Sequence, residues 1–200
     1  MRYQRLARTE LPVDTAALAR FLIGKVVVRE TPEGVISGMI VETEAYVVGD
    51  AAGHAYRGVT PRTRSLFLEP GHAYIYLSYG SAYMLNVSSE AAGIGAGVLI
   101  RALEPLEGVP LMRQNRGFPG LRDLARGPGR LAKALRIERW ADGLDLCEEG
   151  PLWLAHGDRD GDAGEIGQGV RIGLSKDADR PLRFYLRGSP FVSGPRSLNL

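Results

Sequence analysis

Residues 25–46, KVVVRETPEGVISGMIVETEAY, decide the fold class of this chain. Two runs rich in β-branched residues flank TPEG, and a Pro/Gly turn between such runs is typical of a β-hairpin. Residues 72–80 (HAYIYLSYG) and 83–89 (YMLNVSS) predict a second hairpin, whose tip lies near Tyr79. Antiparallel neighbours joined by short turns should therefore make up most of the sheet.

Further strands and a few helices are predicted outside the two hairpins. Residues 96–103 (AGVLIRAL) are mostly apolar on both faces, which predicts a central strand. Three more short strands are predicted at LWLA (152–155), VRIGL (170–174) and PLRFYLRG (181–188). Helices are predicted for 15–22 with Asp14 as the N-cap, for 106–116 and for 129–137. Hairpin-joined strands with helices gathered separately indicate an α+β fold.

The composition of the 200 residues excludes several classes of protein. With 44% hydrophobic and 24% charged residues, the chain matches a globular protein with one core and neither a fibrous nor a disordered one. No apolar run approaches the roughly 18 residues of a membrane span, and the first residues lack an apolar signal core. Cys147 is the only cysteine, which excludes a disulfide scaffold, and the three histidines show no metal-ligand spacing. We therefore expect a cytosolic protein without a metal site.

Charge is distributed unevenly along the chain. Residues 101–140 carry nine basic side chains against four acidic ones, and residues 141–165 carry eight acidic side chains against Arg159 alone. The basic stretch could bind phosphates or could form a solvated helical face, and charge alone leaves both interpretations open. The acidic, glycine-rich stretch at 156–169 predicts a surface loop, since it lacks the glutamate that a calcium loop requires.

One strand face carries two carboxylates beside an aromatic ring. Period-2 alternation in VETEAY places Glu42, Glu44 and Tyr46 on the same face. An edge strand with a solvated polar face would explain this pattern. A general base held next to a ring that stacks on a substrate would also explain it, and the pattern leaves both interpretations open.

The second hairpin carries a similar aromatic cluster. Alternation places His72, Tyr74 and Tyr76 on one face, opposite to Tyr79. Such clusters are usually core packing in which each hydroxyl finds a partner. A ring at the hairpin tip is harder to explain in that way, and Tyr79 beside Gly80 suits insertion between base pairs.

Eight motifs in a fixed order resemble one known family. They are VETEAY (41–46), the His54 loop, TPR (60–62), PGHAYIYLSYG (70–80), LNVSS (85–89), LIRALEPLEG (99–108), GPGRLAKAL (127–135) and PLRFYLRGSPFVS (181–193). In this order they resemble the alkyladenine (3-methyladenine) DNA glycosylase family, in its bacterial form, over nearly the whole chain. The resemblance implies a single domain over residues 1–200: a curved, largely antiparallel β-sheet with peripheral helices and a protruding, DNA-inserting β-hairpin.

The resemblance also implies roles for individual residues. Glu44 corresponds to the catalytic acid that activates water, and Arg101 to the arginine that helps to hold this water. The base-binding pocket corresponds to Tyr46, His54, Tyr76 and Asn86. Of these, Tyr46 and Tyr76 would stack on the flipped base, and Asn86 would disfavour guanine. Tyr79 corresponds to the ring inserted into DNA, and Arg130 and Lys133 to contacts with the DNA backbone.

The implied reaction is monofunctional base excision in DNA repair. Alkylated or deaminated purines, such as 3-methyladenine, 7-methylguanine, hypoxanthine or ethenoadenine, would be flipped from double-stranded DNA and released by hydrolysis. No lysine lies in residues 26–132, which disfavours a Schiff-base mechanism in this region. The resemblance implies no cofactor, and we expect a monomer that works in the cytoplasm, associated with the nucleoid during repair.

Two other classes remain to be distinguished from this enzyme. One is a non-catalytic module that binds damaged DNA or other nucleic acid on the same fold, and the other is a sugar- or nucleotide-transferase domain that shares the sheet topology. Thr63, Ser81 and Ala82 also depart from the residues usual in the family, and the loop from Tyr46 to His54 is one residue shorter. We expect these departures to affect the range of substrates and the geometry of the hairpin tip, and not the type of reaction.

Overall fold

A computed structural model describes residues 3–117, 120–157 and 164–195. Over these ranges the strands are β1 Val26–Thr31, β2 Gly34–Tyr46, β3 Ala73–Ser78, β4 Ala82–Ser88, β5 Gly97–Pro105, β6 Leu152–Ala155, β7 Ile166–Gly169 and β8 Arg183–Leu186. The α-helices are α1 Thr15–Phe21, α2 Val109–Arg116 and α3 Pro128–Ala134. Short 3-10 turns, among them His54–Arg57 and Arg64–Phe67, connect these elements.

The strands form one antiparallel sheet in the order β3-β4-β5-β2-β1-β6. Strand β2 pairs along one edge with β5, and along its other edge first with β1 and then, from Glu42 to Glu44, with β8, which in turn pairs with β7. The β2–β5 register shifts on both sides of Glu42, and such bulges bend a strand. The predicted α+β class, with a curved antiparallel sheet and peripheral helices, is confirmed.

Most of the predicted elements occur close to their expected positions. Both hairpins form, and β5 is central between β4 and β2 as predicted. The prediction of a strand at 170–174 is wrong. Strand β7 covers Ile166–Gly169, and Arg171 and Ile172 instead donate hydrogen bonds to the Ala45 carbonyl and to the Asp50 and Glu44 carboxylates. The helix predicted from residue 106 begins only at Val109, since Leu106 still donates its N–H to Ser37 beside the sheet.

The hydrophobic core covers the face of β2 opposite to Glu42 and Glu44. Asp14 caps α1, as predicted, by accepting a hydrogen bond from the Ala17 N–H at 2.7 Å. The Thr43 hydroxyl donates to the Ala19 carbonyl at 2.8 Å, which joins β2 to this helix within the core. In the described residues, no helix is long and apolar enough to cross a membrane.

Cys147 lies at the margin of the core. Its side chain is buried behind Gly71, where a Cβ atom would come within 2.8 Å of the sulfur. Burial raises the pKa of the thiol to about 11, so the sulfur keeps its proton at neutral pH.

Helix α3 packs closely against the β3–β4 hairpin. A Cβ atom on Gly129 would lie 2.7 Å from the Cβ of Ala82, so the two small residues allow the helix start and the strand to approach. The small side chain of Ala82 is therefore matched to Gly129. The hairpin turn beyond it contains Tyr79, whose backbone φ of +46° lies in the left-handed region.

Candidate active site

A cavity of about 620 Å³ opens between the polar face of β2 and β5, the β3–β4 hairpin and the loops around residues 47–62 and 172–174. This volume lies within the roughly 300–1,000 Å³ usual for small-molecule sites. The side chains with rings or charges that line it are Tyr46, His54, Tyr56, Arg62, Tyr74, Tyr76, Tyr79 and Arg101. The cavity therefore offers aromatic walls and positive charge.

The Glu44 carboxylate is fully buried directly behind the cavity wall. Its Oε1 accepts a hydrogen bond from the Ile172 backbone N–H at 2.7 Å and lies 3.1 Å from Arg101 Nη1. Its Oε2 accepts a hydrogen bond from the Tyr46 hydroxyl at 3.0 Å. All three partners line the cavity, so the carboxylate lies one contact away from it and both oxygens have fixed directions.

Glu42 is also fully buried, and among the described residues Arg101 is its one hydrogen-bond partner that lines the cavity. Its Oε1 accepts hydrogen bonds from Arg101 Nε at 3.1 Å and Arg183 Nε at 2.6 Å, and its Oε2 accepts one from the Ser193 N–H at 2.7 Å. Burial acts to raise the pKa of Glu42, but the Arg101 and Arg183 charges outweigh it and hold this pKa below its usual range. The interpretation of an edge strand with a solvated polar face is wrong, since β2 is interior and both glutamates are buried.

Arg101 links the two glutamates at the point where the β2–β5 register shifts. Its guanidinium is largely buried but reaches the cavity. Burial acts to lower the pKa of Arg101, whereas the Glu44 and Glu42 charges raise it above its ordinary value. This residue therefore keeps a permanent positive charge beside Glu44.

A buried ion pair supports the ring of Tyr46. The Arg171 guanidinium lies 4.7 Å from the ring centroid and is held by both oxygens of Asp50 and by the Ala45 carbonyl. Burial, followed by the Glu44 charge, raises the pKa of the Tyr46 hydroxyl, which therefore stays protonated and donates to Glu44. The ring is fixed on one side by a cation and at its hydroxyl by the carboxylate.

His54 and Tyr76 lie together on another wall of the cavity, next to Tyr74. The His54 ring meets the Tyr76 ring edge-to-face with centroids 4.4 Å apart, and its Nδ1 lies 2.9 Å from the Tyr74 hydroxyl. Burial and the nearby Arg62 lower the pKa of His54, so the imidazole is neutral at pH 7. Burial raises the pKa of Tyr76 to about 12. These aromatic groups therefore form an uncharged surface beside the exposed Arg62.

Asn86 and the 58–63 turn complete this part of the cavity. The Asn86 side chain donates to the Tyr74 carbonyl at 3.1 Å, which leaves its amide group fixed at the cavity. The Thr63 hydroxyl bonds to Thr60 at both the backbone N–H and the hydroxyl, each at 2.9 Å. Threonine thus closes the turn that carries Arg62.

His72 and Tyr79 flank strand β3, and neither lies within it. His72 does not line the cavity and bonds instead to the Glu69 carbonyl. Tyr79 lies beyond the end of β3 in the turn, where strand alternation no longer applies, and its side chain is fully exposed at the cavity mouth. A solvent-exposed ring in this position contrasts with the buried tyrosines behind it.

Arg130 and Lys133 lie on the other side of the β3–β4 hairpin. Together with Arg116 and Arg136 they line what we term the basic groove, of about 1,040 Å³, between this hairpin and helices α2 and α3. Arg130 pairs with Asp123 at 2.7 Å, and Lys133 makes no ion pair among the described residues. Most of the acidic loop predicted at 156–169 lies outside the described residues or in β7.

Several residues of the site escaped the sequence analysis. Arg171, Ile172, Asp50, Arg183 and Ser193 all contact the glutamate face of β2 or its ring. The available signal was an arginine within an apolar run, Arg171 in VRIGL and Arg183 in PLRFYL, because a charged residue in such a run is buried only with a partner. In the part of the chain that is described, no cluster of His, Cys, Asp and Glu is arranged to hold a metal ion.

A family model and three relatives match this chain over most of its length. The sequence model of the family described as methylpurine-DNA glycosylase matches residues 9–190. Three relatives, each with the name "Putative 3-methyladenine DNA glycosylase", come from Mesorhizobium japonicum, Paraburkholderia phytofirmans and Rubrobacter xylanophilus. They are 72%, 54% and 49% identical to this chain, over 96%, 96% and 89% of its length and 92%, 90% and 92% of theirs. The chain therefore belongs to the methylpurine-DNA glycosylase family.

Proposed function

We propose that this protein is a monofunctional DNA glycosylase that removes damaged purines from double-stranded DNA by hydrolysis. The observation that carries the proposal is the position of Glu44, a buried carboxylate held by three groups that line an aromatic cavity. A base inside a duplex is out of reach of such a cavity, so the enzyme extrudes the nucleotide into it. The substrates are alkylated or deaminated purines: 3-methyladenine, 7-methylguanine, hypoxanthine and ethenoadenine.

Hydrolysis proceeds at C1′ of the deoxyribose. The water oxygen forms a bond to C1′ while the bond from C1′ to the base nitrogen breaks and its electron pair leaves with the base. Glu44 accepts the proton of the water, and its negative charge stabilises the positive charge that develops on the sugar. Arg101 orients this water together with Glu44. A purine that alkylation has made positive leaves as the neutral base, and a neutral purine such as hypoxanthine leaves as an anion that takes up a proton. The products are an abasic site and the free base.

The aromatic walls select the base by stacking. Tyr46 lies on one wall, and His54 and Tyr76 lie on another, so a flat purine fits between rings. A cation over a ring is favoured by about 0.5–2 kcal/mol, which favours purines that alkylation has made positive. Asn86, fixed by the Tyr74 carbonyl, disfavours guanine by crowding its exocyclic amine.

The hairpin tip and the basic groove hold the duplex. Tyr79 inserts its exposed ring into the gap that the flipped nucleotide leaves. Arg130 and Lys133 contact phosphates of the DNA backbone from the groove beside this hairpin. The protein acts as a monomer in the cytoplasm, on the DNA of the nucleoid.

An excision assay tests the proposal with Glu44→Gln as the key variant. Duplexes that carry one hypoxanthine, ethenoadenine or 7-methylguanine are incubated with the protein, and abasic sites are revealed by cleavage with alkali. The wild type should yield alkali-labile sites, and Glu44→Gln should lower the single-turnover rate about 10²- to 10⁴-fold, because the amide cannot accept the proton of the water. Its affinity for lesion DNA should stay within a few-fold of the wild-type value.

Two results would count against this function. Tight binding of lesion DNA without any alkali-labile site would favour the non-catalytic binding module. Excision by Glu44→Gln at the wild-type rate would remove Glu44 from the mechanism.

A further inference from the structure

Arg101 also contacts Glu42 through its Nε, and the proposed mechanism gives Glu42 no role. Arg101 presents Nη1 to Glu44 and donates Nε to Glu42 Oε1, both at 3.1 Å. Its Nη2 lies 3.4 Å from the Ser193 hydroxyl. An arginine side chain has four rotatable bonds, and without Nε the guanidinium would be held only at Nη1 and by the longer contact at Nη2, which fix its plane less firmly. The contact at Nε holds this plane in place.

Glu42 itself is fixed from three directions. Arg183 Nε and the Ser193 N–H donate to it at 2.6 and 2.7 Å, in addition to Arg101. Neither Glu42 nor Arg183 lines the cavity, and both are fully buried. Glu42 is thus a rigid anchor that touches the cavity only through Arg101.

Glu42 also balances charge around Glu44. Arg183 lies directly opposite Glu44 in the β2–β8 register, yet its Nε is directed to Glu42. Two arginines and two glutamates therefore share one buried face, and the removal of one negative charge would leave an excess positive charge beside Glu44. An arginine released from Glu42 could then bind Glu44 more tightly and compete with water for its oxygens.

We propose that Glu42 is a positioning residue of the glycosylase reaction, which holds the Nε edge of Arg101 so that its Nη1 edge meets Glu44 in the orientation that the attacking water requires. This inference rests on the proposed function. It differs from a role as the general base, because Glu42 contacts one cavity-lining residue, Arg101, whereas Glu44 is held by three, Tyr46, Arg101 and Ile172.

Two substitutions test the proposal, and each is compared with the wild type in two measurements. Glu42→Gln keeps the shape of the side chain and removes its charge, and Glu42→Asp keeps the charge and withdraws the carboxylate by one methylene group. A stoichiometric titration with lesion duplex gives the fraction of molecules that bind, and a single-turnover experiment at saturating protein gives the rate constant of excision. We expect a rate constant lower by about 10- to 100-fold, the range seen when groups that orient metal ligands are removed, with a wild-type binding fraction.

Thr43→Val is the matched control. Thr43 is buried on the same strand but on the opposite face, where its hydroxyl bonds to the Ala19 carbonyl. Its replacement should lower thermal stability and leave the rate constant of the folded molecules unchanged. Should Glu42→Gln not fold, the rate constant of Glu42→Asp alone tests the proposed role of Glu42.

A double-mutant cycle identifies the route of the effect. Arg101→Lys keeps a positive charge but has no Nε, so Glu42→Asp should change its rate constant by less than about twofold if Glu42 acts through Arg101. An equal loss in both backgrounds would overturn the proposal. A wild-type rate constant in Glu42→Asp, with or without a reduced binding fraction, would also overturn it. Absence of excision by the wild type on every lesion would instead overturn the proposed function, and the role of Glu42 with it.

Discussion

The cavity and the basic groove lie on opposite sides of the same hairpin and carry charge in opposite ways. In and behind the cavity wall, Arg101, Arg171 and Arg183 are buried, and each binds at least one buried carboxylate. In the groove, Arg130 and Lys133 are exposed. Buried ion pairs lie away from water and are little screened by salt, whereas exposed charges exchange partners and are screened. The buried arginines hold the side chains of the site in fixed positions. The exposed side chains of the basic groove are available to bind an external polyanion.

The largest expected effect on folding tests the buried side of this comparison. Asp50→Ala should lower the free energy of unfolding by about 3–5 kcal/mol, because it leaves the Arg171 guanidinium buried without its carboxylate. Urea unfolding followed by circular dichroism measures this loss. The matched control is Glu33→Ala, which breaks the exposed pair of Glu33 with Arg136 and should leave the unfolding midpoint almost unchanged. Equal effects of the two substitutions would contradict the contrast between buried and exposed charge.

A second, smaller effect concerns the hairpin that separates the two regions. If Tyr79 inserts into DNA as proposed, Tyr79→Ala should slow excision from a matched base pair about tenfold or more, because a ring in the vacated stack offsets part of the few kcal/mol that flipping costs. Excision from a mismatched or bulged site should slow far less. Single-turnover rates on the three duplexes measure this difference, with Tyr79→Phe as the control that keeps the ring. Equal losses on all duplexes would show that Tyr79 supports the cavity or the fold.

The smallest effect tests the exposed side. Binding of undamaged duplex should weaken steeply with salt, and the double substitution Arg130→Ala, Lys133→Ala should lower the slope of log K against log salt by about 2. Titrations by fluorescence anisotropy between dilute and physiological salt give this slope. Arg113→Ala removes an exposed charge of α2 that does not line the groove and should leave the slope unchanged. A wild-type binding constant that does not change with salt would contradict the contact between the basic groove and DNA.

Local sequence patterns predicted the parts of the fold that depend on neighbours in the chain. The TPEG hairpin, the Asp14 cap and the shared face of Glu42 and Glu44 follow from residues a few positions apart. Tyr79 shows where such patterns end, because alternation applies only within a strand and this residue already lies in the turn.

The contacts that complete the site could not be predicted in this way. Ile172 donates to Glu44, and Ser193 to Glu42, across 128 and 151 residues of chain. These contacts depend on how β8 pairs with β2 and on the register shifts at Glu42. No local pattern reports a bulge or a distant pairing. The segment at 170–174 looked like a strand because its composition is apolar, and its real role is to bring Arg171 and Ile172 to the glutamate face.

The burial of Cys147 affects how readily its thiol reacts with methylating agents. Methylating agents are electrophiles that attack thiolates as well as the ring nitrogens of purines. With a pKa raised to about 11 and a side chain enclosed behind Gly71, the sulfur of Cys147 presents almost no thiolate at neutral pH. Cys147, the only cysteine of the sequence, is therefore a poor target for methylating reagents.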